Sequence, residues 1–117
     1  MNNKLQNVHS SILLEFKQGN KKTAILKQQQ YLINNPKNRD ARLNLAYMYV
    51  NSNMINEAIV EYQIILKNKK DLQTMFNLAI CFLSLNKFVE SEKILRKIIK
   101  IDKNHFKANR ALGDFYY

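Results

Sequence analysis

The sequence has few of the residues that interrupt or cross-link a chain. It contains two glycines, one proline, one cysteine and no tryptophan in 117 residues. So little glycine and proline excludes collagen-like and linker-like chains and disfavours an all-β fold with frequent tight turns. The single cysteine, Cys81, excludes an internal disulfide, and no cluster of cysteine and histidine indicates a metal or cofactor site. We therefore expect no cofactor.

Long apolar runs are also missing. No run approaches the roughly 18 residues of a membrane span. The segment from Met1 to Phe16 lacks the unbroken apolar stretch of a secretion signal, so we expect a cytoplasmic protein. Hydrophobic residues make up 46% of the chain and charged residues 24%, as in a globular domain. This length favours one domain, residues 1–117.

Acidic residues are scarce, 9 against 19 lysines and arginines, which gives a net charge of +10. Such an excess favours acidic partners: nucleic acid, anionic membrane or acidic proteins. Genome composition is the alternative, because the 16 asparagines, 15 lysines and 12 isoleucines all use A/T-rich codons. The positive residues crowd the predicted second helices and the connectors. Five of them lie in or just after one predicted helix, and we call this set the basic patch: Lys93, Arg96, Lys97, Lys100 and Lys103.

The chain repeats itself with a period of 33 to 34 residues. Residues 44–49 read Asn-Leu-Ala-Tyr-Met-Tyr, and 33 positions later residues 77–82 read Asn-Leu-Ala-Ile-Cys-Phe. The same offset carries the apolar positions of residues 55–66 onto residues 88–99, with one exception. Offsets of 34 extend the pattern in both directions, so the chain holds three units and the start of a fourth.

Each unit is predicted to form two helices, because its apolar residues recur at the i, i+3, i+4, i+7 spacing of one helix face. The breaks fall at Gly19, Asn53 and Asn86, and Gly and Asn most readily adopt the left-handed conformation that ends a helix. Pro36 stops one helix, and Asp71 is expected to cap the next. The expected helices are 4–18, 21–34, 39–52, 55–68, 72–85, 88–101 and 105–116.

This spacing resembles the tetratricopeptide repeat, W-x2-L-G-x2-Y…A-x3-F…P over about 34 residues. The second unit matches at Leu45, Ala46, Tyr49, Ala58 and Tyr62, and the third at Leu78, Ala79, Phe82, Ser91 and Leu95. The first unit matches at Gly19, Ala24 and Pro36, and the fourth at Leu112, Gly113 and Tyr116. The resemblance implies an all-α fold, a right-handed α-solenoid of about seven helices in antiparallel pairs. Its repeats would span about 5–38, 39–71, 72–105 and, in part, 106–117.

The resemblance also implies a non-enzymatic adaptor that binds a protein or peptide on its first helices. In units two and three these helices carry a second apolar stripe with i, i+4, i+7 spacing, beside an asparagine whose amide can bond a peptide backbone. The predicted peptide-binding groove comprises Leu43, Asn44, Tyr47, Val50, Phe76, Asn77, Ile80 and Leu83. The alternative is that the stripe packs unit against unit and the asparagines tie helices together.

No catalytic constellation is present in the sequence. His9 and His105 stand 96 residues apart without a nucleophile pattern, and no phosphate loop or metalloprotease motif occurs. The carboxylate pairs Glu57/Glu61 and Glu90/Glu92 are expected to be solvated, and Cys81 is expected to be a small buried hydrophobe. We therefore expect no enzymatic activity.

Some tetratricopeptide domains clamp the C-terminal carboxylate of heat-shock chaperones with Lys, Asn and Arg, and this chain does not match them. The corresponding residues are Leu43, Tyr47, Asn77, Lys107 and Ala111, or His9, Leu13, Asn44, Gln73 and Asn77 one unit earlier. The aromatic end, Phe115, Tyr116 and Tyr117, is a candidate surface for a homo-oligomer or larger assembly. A second hypothesis for the function is a basic scaffold that contacts nucleic acid or anionic membrane through a lysine-rich convex face.

Overall fold

The computed structural model describes residues 2–115, and within these the side chains of residues 8 and 10–114. This part of the chain contains seven α-helices and no strand. Each helix begins and ends within two residues of its predicted position, so the all-α prediction is confirmed. The helices are α1 Asn2–Lys17, α2 Lys21–Asn34, α3 Arg39–Asn51, α4 Ile55–Asn68, α5 Leu72–Ser84, α6 Phe88–Ile101 and α7 Phe106–Phe115.

The turn inside each helix pair has the same geometry three times. Gly19, Asn53 and Asn86 have φ angles of 100°, 58° and 59°, so all three predicted left-handed positions are confirmed. After each of them the next backbone N–H donates to the carbonyl five residues before it, at 3.1, 2.8 and 2.8 Å. This is the Schellman motif, which satisfies carbonyls at the helix end and reverses the chain.

A side chain caps the N-terminus of α3, α5 and α7. The side-chain oxygen of Asn38 accepts from the Ala41 N–H at 3.0 Å, and that of Asp71 accepts from the Thr74 N–H at 2.8 Å. His105 Nδ1 accepts from the Ala108 N–H at 3.1 Å. The predicted Asp71 cap is confirmed. By contrast, the residues before α2 and α6 make no side-chain cap, because the Schellman turn leads directly into these helices.

The chain divides into two compact units, Met1–Glu61 and Tyr62–Tyr117, with the boundary inside α4. In the first unit α1 packs on α2, α2 packs on α3, and α1 also contacts α3. In the second unit α5 packs on α6 and α6 on α7. One cluster of the second unit's core contains five buried residues: Met75, Ala79, Leu95, Ile98 and Ala108.

Two buried polar side chains cross between neighbouring helices and bond a backbone carbonyl. The Ser91 hydroxyl on α6 donates to the Ala79 carbonyl on α5 at 2.8 Å, and both residues are fully buried. Two small residues thus lie at the place where these helices contact each other closely. In the first unit the Gln28 amide on α2 donates to the Ala41 carbonyl on α3, also at 2.8 Å. Such bonds satisfy polar groups that would otherwise be costly to bury.

We predict that Asn86 tolerates glycine but not alanine. A Cβ-bearing residue without a local side-chain hydrogen bond costs about 1 kcal/mol in the left-handed conformation. Asn86→Ala should therefore lower the free energy of unfolding by about that amount, whereas Asn86→Gly should leave it nearly unchanged. Urea unfolding followed by circular dichroism measures both.

Asn56→Ala is the matched control, because Asn56 is an exposed asparagine with helical backbone in α4. Alanine has the higher helix propensity, so this control should not destabilise the fold. Equal losses for Asn86→Gly and Asn86→Ala would show that the left-handed backbone is not what selects asparagine here.

Candidate peptide-binding surface

The first half of the predicted groove lies on α3 in the first unit. Tyr47 is 42% exposed and Val50 37% exposed, whereas Leu43 is half-buried. The Tyr47 ring lies 6.1 Å from the ring of Phe16 on α1, with the two planes tilted by 59°. Because Phe16 is itself buried, it supports one side of the tyrosine ring and leaves the rest accessible.

The second half of the predicted groove lies on α5 in the second unit. Ile80, the counterpart of Tyr47 one repeat later, is 38% exposed, whereas Phe76 and Leu83 are half-buried. The Phe76 ring lies 6.0 Å from the His105 ring, and Lys107 Nζ lies 5.9 Å from its centre. Phe76 is thus engaged by residues at the start of α7, as the packing alternative expects, while Ile80 is accessible.

The two asparagines of the predicted groove differ in their bonding. Asn77 forms a side-chain hydrogen bond with Tyr62 on α4, and its Oδ1 accepts from Gln73 Nε2 at 2.9 Å. It therefore ties α5 to α4, as the alternative proposed. The half-buried Asn44 amide forms no hydrogen bond with any residue of the described part of the chain. Its donors and acceptor remain available to a ligand.

Burial raises the pKa values of two side chains, Tyr62 on α4 and Cys81 on α5. It raises the pKa of the Cys81 thiol to about 11. It also raises the pKa of the Tyr62 phenol to about 12; the nearby Cys81 adds to this increase and the Asn77 hydrogen bond opposes it. Cys81 is 3% exposed, so the prediction of a small buried hydrophobe is confirmed.

The expectation that Glu61 is a solvated surface carboxylate is wrong. Its side chain is 12% exposed, and its Oε1 lies 2.7 Å from Nη1 of Arg42, whose side chain is 17% exposed. Arg42 Nη2 also donates to the Pro36 carbonyl at 3.1 Å. No local sequence pattern indicates this ion pair, because its members are 19 positions apart on different helices.

All five residues of the basic patch are exposed, on α6 and in the turn that follows it. Arg96 is ion-paired, since its Nε and Nη2 both donate to Glu92 Oε1, at 3.0 and 2.9 Å. The lysines of the patch form no ion pair with any side chain that the structure describes, residues 8 and 10–114. The four lysines therefore form an exposed, positively charged surface on and just after α6.

The predicted assembly surface lies outside the described residues. Phe115 ends α7, but its side chain and the residues Tyr116 and Tyr117 are not described, so this surface stays a prediction. The described residues hold no group of three or more His, Cys, Asp or Glu side chains that could bind a metal ion.

None of the helices within residues 2–115 combines the length and the apolar character that a membrane-spanning helix needs.

The family model of the tetratricopeptide repeat matches residues 73–105, which are α5, α6 and the turn after them. The seven helices fit three such repeats and the first helix of a fourth. No curated protein matches the chain.

Solved tetratricopeptide repeat structures match the fold at low sequence identity. A tetratricopeptide repeat protein from Parabacteroides merdae superposes with a TM-score of 0.78 at 17% identity, over 86% of this chain and 40% of that one. The first tetratricopeptide repeat of Spaghetti (RPAP3), bound to the HSP90 peptide SRMEEVD, gives 0.77 at 19%, over 93% and 87%. The type III secretion translocator chaperone SycD of Yersinia enterocolitica gives 0.80 at 16%, over 97% and 91%.

The chain thus spans less than half the length of the first of these proteins and most of the other two. Together with the seven helices, these matches confirm the predicted α-solenoid fold class.

We predict that the free energy of unfolding decreases as the pH rises above about 9. Cys81 and Tyr62 have folded-state pKa values of about 11 and about 12, above the ordinary 9.0 and 10.0 that they regain on unfolding. The unfolded chain therefore loses these protons first, which stabilises the unfolded state between pH 9 and 12. Urea unfolding at a series of pH values measures the decrease.

The variants Cys81→Ala and Tyr62→Phe isolate these two groups from the titration of the lysines. Each variant should show a shallower decrease than the wild type over this pH interval. Parallel curves for the wild type and both variants would contradict the assignment.

Proposed function

We propose that this chain, which has the fold of tetratricopeptide repeat proteins, is a non-enzymatic module that binds a peptide or helix of a partner protein. The tetratricopeptide repeat fold supports protein–protein interaction. The observation that carries the finer proposal is an exposed apolar side chain at the same repeat position in two first helices. These are Tyr47 on α3, 42% exposed, and Ile80 on α5, 38% exposed.

A single exposed apolar side chain needs no explanation, since folded proteins expose many. Here the exposure recurs at one position of successive repeats, and Val50 extends it by nearly one turn on α3. An amphipathic helix or an extended peptide makes such spaced apolar contacts. The Asn44 amide, which forms no hydrogen bond with any of the described side chains (residues 8 and 10–114), is suited to bond a peptide backbone and set its register.

The support of Tyr47 by Phe16 favours binding for an entropic reason. A ring that is already held against a buried neighbour loses less conformational freedom when a partner covers it. Tyrosine also presents a large apolar area together with a hydroxyl, which is why it is enriched among residues that dominate binding energy. We therefore assign Tyr47 the largest single contribution.

The structural neighbours support a protein as the kind of partner. The matched Spaghetti domain is bound to a peptide, and SycD is a type III secretion translocator chaperone. A second candidate function, contact with nucleic acid or anionic membrane, is favoured by the basic patch alone. The two differ in salt dependence, because phosphate contacts weaken steeply with ionic strength and apolar contacts do not.

We predict that Tyr47→Ser combined with Ile80→Ser reduces partner affinity by about tenfold or more, because both anchors are lost. The experiment is a pull-down from lysate of the source cell at low and high salt, with affinity then measured for the purified partner. Val60→Ser is the matched control, because Val60 is 51% exposed on α4 and lies outside the predicted groove. If the partner dissociates at high salt but still binds the double variant, the basic patch and not the groove is the binding surface.

We also predict that the HSP90 peptide SRMEEVD binds this chain more weakly than micromolar, because the clamp is incomplete. Leu43, Tyr47 and Ala111 stand at clamp positions without a Lys, Asn or Arg side chain, so the terminal carboxylate lacks most of its donors. Isothermal titration calorimetry with the free and the C-terminally amidated peptide tests this. Sub-micromolar affinity that amidation removes would contradict the prediction.

A further inference from the structure

A small cavity lies in the second unit between the end of α4, α5 and α6. Its volume is about 170 Å³. Four apolar side chains form its walls: Leu66, Met75, Leu78 and Ile94. Two lysines, Lys70 from the connector after α4 and Lys97 from α6, complete the lining. Met75 and Leu78 are buried, whereas Leu66 and Ile94 are half-buried and leave apolar surface open to solvent.

The two lysines at this cavity are exposed and form no ion pair with any of the described side chains, residues 8 and 10–114. Two acidic residues close to them in the sequence have other partners. Asp71 accepts from the N–H and the hydroxyl of Thr74, at 2.8 and 2.7 Å, and Glu92 pairs with Arg96. Both lysine ammonium groups are therefore available to a ligand.

We propose that this cavity is a docking site for an acidic segment of a partner protein that inserts one apolar side chain. The volume of about 170 Å³ is well below the roughly 300–1,000 Å³ of sites that enclose whole small molecules. It is suited to a single aliphatic side chain. Acidic residues on both sides of that anchor would meet Lys70 and Lys97, and burying the anchor would strengthen these ion pairs by excluding water.

Charge along α6 supports an acidic occupant. Lys97 is four residues after Lys93 and three before Lys100, so three lysines share one side of the helix, and Glu90 is the one acidic residue of α6 on that side. Like-charge pairs at these spacings destabilise an isolated helix slightly, and an anionic partner would relieve that repulsion. Neither nucleic acid nor a membrane fits as well. No lining residue is aromatic, as base stacking would require, and a recess cannot insert into a bilayer as a protruding apolar side chain does.

This site is separate from the proposed groove. At 100° per residue, Met75 and Leu78 lie on a different face of α5 from Ile80 and its stripe. The inference therefore goes beyond the proposed function and does not depend on it. Tyr47→Ser with Ile80→Ser should leave binding at the cavity unchanged, so the failure of one proposal can be told from the failure of the other.

The first experiment compares two fluorescent synthetic peptides on the full chain by anisotropy. One has aspartate and glutamate on both sides of a leucine, and the other has serine in place of that leucine. The leucine peptide should bind about tenfold or more tightly, as burial of one leucine side chain provides. Its addition should shift the methyl resonances of Leu66, Leu78 and Ile94. Equal affinities, shifts confined to other residues, or no binding of either peptide would overturn the proposal.

The second experiment changes the lysines. Lys70→Glu with Lys97→Glu should weaken the leucine peptide about tenfold or more, because attraction at the cavity becomes repulsion. Lys17→Glu with Lys37→Glu is the matched control: both residues are exposed in the first unit, and the change in net charge is the same. An equal loss in the control would show general attraction by a basic protein and overturn the site.

Circular dichroism first establishes that all variants are folded. Vesicles of phosphatidylserine and phosphatidylcholine and a single-stranded oligonucleotide serve as competing probes. If either binds in a Lys70- and Lys97-dependent way and displaces the leucine peptide, the ligand is a polyanion or a membrane and the protein partner is excluded.

Discussion

The second unit depends on the close contact between α5 and α6 at Ala79 and Ser91. Both residues are fully buried, and the serine hydroxyl donates to the alanine carbonyl across the contact at 2.8 Å. A longer side chain at either position would force the helices apart, and a residue without a hydroxyl would remove the bond that joins them. Because this contact fixes the spacing of the pair, it also determines which faces of α5 are left for other helices and for ligands.

The different faces of α5 have different surroundings. One face packs into the core through Ala79, another presents Ile80, and Met75 and Leu78 help to wall the cavity beside Lys70. A helix that is apolar nearly all round must be covered on more than one side. The structure shows that neighbouring helices cover only part of α5. The remaining apolar surface is what makes partner binding a reasonable function for this short chain.

Much of the fold could be predicted because it is encoded locally and repeated. The left-handed turns at Asn53 and Asn86 and the cap at Asp71 each depend on one residue type, and the repeat period placed them in phase. Asn38 could have been found as a cap from the same period. The use of the His105 Nδ1 lone pair as a cap could not, because histidine seldom does this and nothing adjacent in the sequence indicates it.

The candidate groove was only partly predictable, because exposure depends on distant neighbours. Tyr47 and Phe76 are both aromatic residues of the predicted groove, yet Phe16 holds the first at its side, and His105 and Lys107 engage the second. Asn44 and Asn77 are equivalent by period and differ in bonding, since Tyr62 and Gln73 are placed to reach only Asn77. The ion pair of Arg42 and Glu61 likewise depends on which helices meet.

Variation in the length of the repeat is confined to the segments that precede a side-chain-capped helix. α2, α4 and α6 each have 14 residues, and α3 and α5 each have 13. The segments between helix pairs have four, three and four residues, at 35–38, 69–71 and 102–105, and each ends at its capping residue. The one-residue variation in repeat period therefore lies entirely before the capping residue. The capping side chain then sets the first turn of the next helix, whatever the length of the segment before it. Insertions and deletions of single residues should accumulate in these segments during evolution, while the turns inside the pairs keep constant length.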